Sequence, residues 1–178
     1  QISRVHTLQM ISDVRTACLQ GPAIIDFAPT FVTKTSFQDA LLAAGAAIAC
    51  TNWVLKGDAS SAFSIARPPG HHAEPKRAMG FCIFNNVAIA AREALAQGLE
   101  RVMIVDYDAH HGNGIQATSK DDERVAYLSM HQEGIYPGSG WIEDVPQARR
   151  RIVNVPLPER TGDMGYLRVT EDVIYPLA

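Results

Sequence analysis

Hydrophobic and polar positions follow two periods along the chain. Spaced apolar residues from Val5 to Gln20 keep a helical repeat and stop at Gly21-Pro22, a pair that terminates helices. Ser36, with Asp39 three residues on, predicts the N-cap of a second helix that runs to Gly57. Ala62-Phe63-Ser64-Ile65-Ala66 reads as a short strand halted by Arg67-Pro68-Pro69-Gly70. An Ala-rich helix over Asn86 to Gln97 closes on Gly98. Arg101 to Val105 is a continuous apolar run of the kind that forms central parallel strands, and Val125 to Met130 and Ile152 to Val155 predict two more. Gly162 to Leu177 predicts a last helix. This alternation predicts an α/β fold with a mostly parallel central sheet. No repeat, low-complexity tract or linker divides residues 1–178, so a single domain is expected.

Composition narrows the function. With 178 residues and 47% hydrophobic positions, the chain buries a sizeable core. A formal net charge of -3 removes the basic footprint of a nucleic-acid binder. The longest apolar run, Ala40 to Cys50, is too short to span a bilayer, and no basic-then-apolar opening marks an export signal, so no membrane partner is expected. Three unpatterned cysteines (Cys18, Cys50, Cys82) argue for a reducing, cytoplasmic setting. No feature specifies an oligomeric state. The chain opens on Gln1 and stops just after its last predicted helix, so both ends are expected to be cut.

Five of the six histidines fall between positions 71 and 131, each just past a predicted strand, where ligands bind in open α/β sheets. His6 stands apart and is expected to be structural. In Asp106-Tyr107-Asp108-Ala109-His110, polar groups at alternate positions of extended chain share a face, so Asp108 and His110 form a candidate pair of metal ligands. Taken alone, Asp106 and Asp108 are better accounted for as caps of the following turn. A catalytic zinc takes three protein ligands, so a third must come from elsewhere. Arg67-Pro68-Pro69-Gly70-His71-His72 adds two adjacent imidazoles after a rigid turn, and this second cluster favours the catalytic or metal reading. Asn113, in a glycine-punctuated turn, is placed to fix the tautomer of one histidine, and Asp106 to back the other and raise its pKa. Two histidines so backed suit one base and one charged stabiliser. His111 is expected to anchor its loop. Phe81 after Gly80, and Tyr136 in the loop after the next strand, are candidate pocket walls, and Cys82 reads as a small buried residue.

Arg-Pro-Pro-Gly-His-His-Ala (67–73), Gly-Phe-Cys-Ile-Phe-Asn-Asn-Val-Ala (80–88) and Asp-Tyr-Asp-Ala-His-His-Gly-Asn-Gly (106–114) occur in one order and resemble the histone deacetylase family, which includes bacterial histone-deacetylase-like amidohydrolases and acetylpolyamine amidohydrolases. The Arg-Pro-Pro-Gly start and Asn113 resemble its class II branch. The resemblance implies an arginase/deacetylase-like three-layer fold, here the N-terminal part of one catalytic domain and incomplete at the C-terminus. It implies zinc-dependent hydrolysis of N-acetyl amides, chiefly of acetyl-lysine side chains, on an acetylated protein, peptide or small amine. By position, Asp108 and His110 match zinc ligands and His72 the general base. His71, backed by Asp106, matches its charged partner, and Phe81 and Tyr136 match the walls of the acyl-lysine tunnel. The Gly80 carbonyl matches the acceptor for the substrate amide. A structural potassium ion is implied at Asp106, Ser129 and the carbonyls of Asp108, His110 and Met130. Iron(II) is an alternative metal for such oxygen-rich ligation. The family's third zinc ligand and its carbonyl-polarising tyrosine have no counterpart among residues 141–178, so the 178 residues alone are expected to be inactive. A rim aspartate that grips substrate backbone has Asp26 as its candidate. Two further readings stand beside this one: an acetylpolyamine amidohydrolase, and a non-catalytic acyl-lysine-binding module that kept the pocket.

Overall fold

A computed structural model describes residues 1–148 and 150–178. After a 3-10 turn at Ile2–Arg4, helix α1 (Leu8–Gln20) begins where the Thr7 hydroxyl accepts the Met10 amide at 3.2 Å. That cap sets the start three residues later than the apolar repeat suggests. Strands β1 (Ala23–Ile24) and β2 (Phe31–Val32) pair antiparallel in a short hairpin that the hydrophobic pattern does not announce. Helix α2 (Ser36–Leu55) follows, with the Ser36 hydroxyl accepting the Thr33 amide at 2.9 Å.

Residues 62–66 are not a strand. They run as irregular chain with Phe63 83% and Ile65 92% exposed, because among the described residues no strand lies alongside to pair their amides. Helix α3 (Asn86–Ala96) is capped by the Asn85 side chain, which accepts the Ala88 amide. Strand β3 (Val102–Asp106), helix α4 (Asn113–Ser119), strand β4 (Val125–Gln132) and strand β5 (Ile152–Leu157) complete the central layer and its cover. The predicted terminal helix is broken into α5 (Asp163–Val169), a π-helical turn (Thr170–Ile174) and α6 (Tyr175–Leu177). There the Thr170 hydroxyl bonds back to the Tyr166 carbonyl, and Pro176 lacks an amide to continue the ladder.

The sheet is parallel, in the order β3-β4-β5. Its register sets Asp106, Ser129 and Asn154 in one row across the three strands, at the carboxyl end of β3. Alternate residues of β4 serve opposite faces. Val125 and Tyr127 pack with Ile104, Ile115 and Leu95 under α3 and α4, whereas Leu128 and Met130 pack with Leu157 and Ile174 under the broken C-terminal helix. Helices on both faces make the three layers, and a separate core joins α1, α2 and α3 around Phe84. No helix among the described residues is long and apolar enough to cross a membrane.

Two buried polar arrangements hold the layers in place. Before β5, the Arg151 guanidinium donates to four carbonyls at the end of α4 and the start of β4: Ser119 (3.3 Å), Asp122 (2.8 Å), Val125 (3.1 Å) and Lys120 (3.1 Å). Beside α3, His6 is 2% exposed and bridges the Glu74 carbonyl through Nδ1 and the Asn85 amide through Nε2, each at 2.9 Å. Burial pushes its pKa down from 6.5 to about 4, against the opposing pull of the Glu74 carbonyl.

Replacing Arg151 with Met keeps the stem but strands the four carbonyls. Charged hydrogen bonds contribute about 1.5–3 kcal/mol each and are not additive, so a loss of at least about 2 kcal/mol in urea unfolding is expected, with Arg151→Lys recovering part of it. A loss below about 0.5 kcal/mol would contradict the clamp. For His6 the folded pKa lies below the unfolded one, so its contribution is complete above pH 6.5 and is lost as pH falls toward 4, on the order of 3 kcal/mol in all. Unfolding free energies at pH 7.5, 5.5 and 4.5 are expected to fall less steeply in His6→Gln than in the parent, and equal slopes would contradict this.

Candidate active site

Three connections meet at the carboxyl ends of β3 and β4: the turn through 67–73, the segment 106–113, and the loop 131–144. The first owes its place to the helices that follow it. Asn86 Nδ2 donates to the Pro68 carbonyl, Asn85 Nδ2 to the Ala73 carbonyl, and the Ile115 amide to the His71 carbonyl at 3.2 Å. His71 and His72 therefore follow a turn pinned by α3 and α4, not a strand.

The two imidazoles are neighbours with ring centroids 4.0 Å apart and planes inclined by 43°, and they have unlike partners. His71 Nδ1–H donates to Asp106 Oδ2 at 3.0 Å, and His72 Nδ1–H to Asn113 Oδ1 at 2.9 Å. Asn113 in turn donates through Nδ2 to Glu74 Oε1 at 2.7 Å, which fixes which way its amide points and hence the His72 tautomer. Asp106 also accepts the Tyr127 hydroxyl at 3.1 Å, and that hydroxyl accepts the Gly112 amide at 3.1 Å. A Cβ at Gly112 would come within 2.6 Å of the Tyr127 oxygen, so this close approach needs glycine.

These partners separate the two rings electrostatically. Burial opposes a charge on His71, but the hydrogen bond and charge of Asp106, with Asp108 behind, outweigh it and raise its pKa. Burial and the neighbouring charge of His71 lower His72 to about 4, despite the Asn113 bond. The surroundings favour the charged form of His71 and the neutral form of His72.

Asp108 and His110 stand beside them at the surface, 51% and 46% exposed. Asp108 Oδ1 lies 3.1 Å from His110 Nδ1 and accepts the His110 amide at 2.8 Å. Partial burial works against ionisation of Asp108, but the His110 amide and the His71 charge prevail and hold the carboxyl below its ordinary range. A carboxylate oxygen and an imidazole nitrogen at this separation fit two corners of a tetrahedral zinc, whose bonds of about 2.0–2.2 Å put neighbouring ligands a little over 3 Å apart. Among the described residues, no group of three or more His, Cys, Asp or Glu side chains is arranged to share a metal ion. A cleft of about 240 Å³ lies against His71, Asp106 and Asp108, lined also by Pro69, Val87 and Ile115.

Of the two expected aromatic walls, Tyr136 lies against this group. The Tyr136 ring stands edge-on to His72 at 5.0 Å and lies 6.4 Å from His110. Its hydroxyl is buried without a partner, and burial followed by the Asp26 charge pushes its pKa up to about 12. Phe81 is 57% exposed, and Gly80 before it sits so close over His72 that a Cβ would meet Cγ of that ring at 2.8 Å. Cys82 is fully buried, and burial pushes its thiol up to about 12. Asp26 does not stand free at the rim: its Oδ2 accepts the Gly80 amide at 3.0 Å. Ser129 faces the site side of β4 and bonds His131 Nδ1 at 2.8 Å, while the Met130 side chain packs on the opposite face of the sheet.

A second buried pair of histidines lies under the 131–144 loop. His111 bonds Ser139 Oγ at 2.9 Å and Gln116 Oε1 at 3.1 Å, and His131 Nε2–H donates to the Gly140 carbonyl at 3.0 Å. Their centroids are 4.9 Å apart, and burial leads the lowering of both pKa values, His111 to about 4. This pair ties the loop carrying Tyr136 to the segment carrying Asp108. Ser139, Gln116, Glu74 and Tyr127 had no signal in the local sequence, because each acts through a contact across the fold.

The histone deacetylase domain family matches residues 1–178. The chain is 46% identical over 158 residues to histone deacetylase 14, chloroplastic, of Arabidopsis thaliana, covering 84% of this chain and 37% of that protein. It is 42% identical to a probable deacetylase of Archaeoglobus fulgidus over 99% of this chain and 49% of that one, and 43% identical to the histone deacetylase-like amidohydrolase of Pseudomonas aeruginosa over 79% and 38%. The crystal structure of the HDA15 HD domain superposes with a TM-score of 0.95 at 35% identity, covering 99% of this chain and 53% of that one. The chain thus spans about a third to a half of the curated relatives it matches. With the matched family extending over every residue, and the fold shared with one of its solved members, this chain belongs to the histone deacetylase family.

Proposed function

We propose that residues 1–178 carry the proton-transfer half and two metal ligands of a zinc-dependent deacetylase domain that hydrolyses N-acetyl amides, with acetyl-lysine side chains as the favoured substrate. The observation that carries the reading is the pairing of two adjacent, tilted imidazoles with unlike partners beside an oxygen–nitrogen donor pair. A module that only bound acyl-lysine would need no such proton shuttle.

Asp108 and His110 would hold the metal. Bound zinc supplies a Lewis acid for the acetyl carbonyl and lowers the pKa of attacking water toward about 7. His72, neutral and protonated on Nδ1, offers its Nε2 lone pair to the proton of that water. His71, kept charged by Asp106, stabilises developing negative charge and offers its Nε2 proton to the departing amine. Asn113 and Asp106 hold the two rings in those roles. Phe81 and Tyr136 would line a slot for the slender acyl-lysine arm and keep water from it, and the Gly80 carbonyl would accept the substrate amide. Structural potassium at Asp106, Ser129 and the Asp108, His110 and Met130 carbonyls belongs to the same proposal. Two ligands fall short of the three a catalytic zinc takes, so a further one has to come from outside these residues, and the activity belongs to the whole protein.

In the full-length zinc-loaded protein, His72→Ala is expected to lower kcat on an acetyl-lysine peptide about 100- to 10,000-fold with zinc content unchanged, while Asp108→Ala loses both. Residues 1–178 alone are expected to show no turnover. Robust turnover by them, or a zinc-bound full-length protein that hydrolyses no acetyl amide, would overturn the reading.

A further inference from the structure

The two residues that form the outer lip of the site adopt a backbone that L side chains avoid. Gly80 has φ +59° and Phe81 φ +65°, so two consecutive left-handed residues turn the chain outward. For glycine this costs nothing, but a phenylalanine is held there against a steric penalty. What opposes the penalty comes from 51 to 54 residues earlier in sequence, in the hairpin of β1 and β2. Asp26 Oδ2 accepts the Gly80 amide at 3.0 Å, and Thr30 Oγ1 accepts the Phe81 amide at 3.0 Å. The Thr30 hydroxyl donates to Asp26 Oδ2 at 3.3 Å, which closes the set. Thr30 is 1% exposed, so its hydroxyl is shielded from water and its loss would leave a poorly solvated amide behind. Just beyond the turn, Met79 and Cys82 pair their backbones at 3.0 and 2.9 Å, so the strained residues form the tip of a closed loop with one side clamped by the hairpin.

We infer that Thr30, with Asp26, is a positioning residue for the Phe81 wall. The hairpin fixes the aromatic ring at the mouth of the acyl slot, and the same bonds set the Gly80 carbonyl that precedes it. The inference rests on the reading of Phe81 as a tunnel wall. It also gives the Asp26 carboxylate a task other than gripping substrate from the rim, since one of its oxygens already serves two donors. The physical logic is entropic. An aromatic lip on a relaxed backbone samples many orientations, and each substrate that binds must order it, which weakens binding without altering the bond-breaking step.

The test uses the full-length zinc-loaded protein and an acetyl-lysine peptide, with amide hydrogen exchange of the segment around 79–83 measured without substrate. Thr30→Val, which removes the acceptor and keeps the shape, is expected to speed exchange at the Gly80 and Phe81 amides at least tenfold. It should also raise KM about five- to tenfold with kcat within twofold, and Thr30→Ser should restore both. In a Phe81→Ala background, Thr30→Val should add little further to KM, because the wall it positions is gone. Unchanged exchange overturns the inference, and so does faster exchange with unchanged KM. If Thr30→Val does not fold, Asp26→Ala read by exchange at Gly80 decides in its place. A parent protein with no hydrolysis at all would refute the proposed activity instead, and the exchange comparison would still decide whether the hairpin holds the turn.

Discussion

The arrangement depends on one buried carboxylate. Asp106 is the last residue of β3, and it gathers the His71 imidazole, the Tyr127 hydroxyl and, through its other oxygen, the Asp108 amide. A carboxylate this enclosed is costly unless its lone pairs are filled, and here the filling groups are two distant side chains and one nearby amide. The parallel register decides where that carboxylate sits. A slip by one residue would turn Asp106 to the other face of the sheet and break its row with Ser129 and Asn154, so apolar packing on both faces of β4 fixes the chemistry as well as the core.

From Asp106 the polar contacts spread in two directions. Through His71 and His72 they reach Asn113 and Glu74, and through Tyr127 and Gly112 they reach the segment that carries His110 and His111. The outcome is a graded set of environments within a few ångströms: a charged ring against an acid, a neutral ring against an amide, and an ionised carboxylate with an imidazole open to solvent. The walls are anchored separately, Tyr136 by the His111 and His131 pair beneath its loop, and Phe81 by the β1–β2 hairpin.

The parallel strands and the polar residues gathered at their ends could be read from the sequence for the same reason. Apolar runs such as Arg101 to Val105 end abruptly in polar residues, and the strand end is where an α/β sheet exposes side chains to a ligand. The failures share a cause too. Residues 62–66 alternate like a strand but have no neighbour to pair with, and no local pattern reports that. Helix α4 is hidden because its first turn contains Gly114, a poor helix former that reads as a turn; the helix forms because that glycine lets it approach the backbone of Ala73. Contacts across long sequence separations, such as Thr30 to Phe81, leave no periodic trace. Membership of the histone deacetylase family accounts for the motif order, while the coordinates add which partner each histidine has.

The central claim is that Asp108 and His110 grasp a divalent cation directly beside His71 and His72. Anomalous diffraction at the zinc edge from crystals of the full-length protein tests it most directly. The account predicts a single strong peak about 2.0–2.2 Å from both the Asp108 carboxylate and His110 Nδ1, with the His71 and His72 imidazoles along one side. A peak held by other residues, with Asp108 and His110 left as a surface pair, would contradict it.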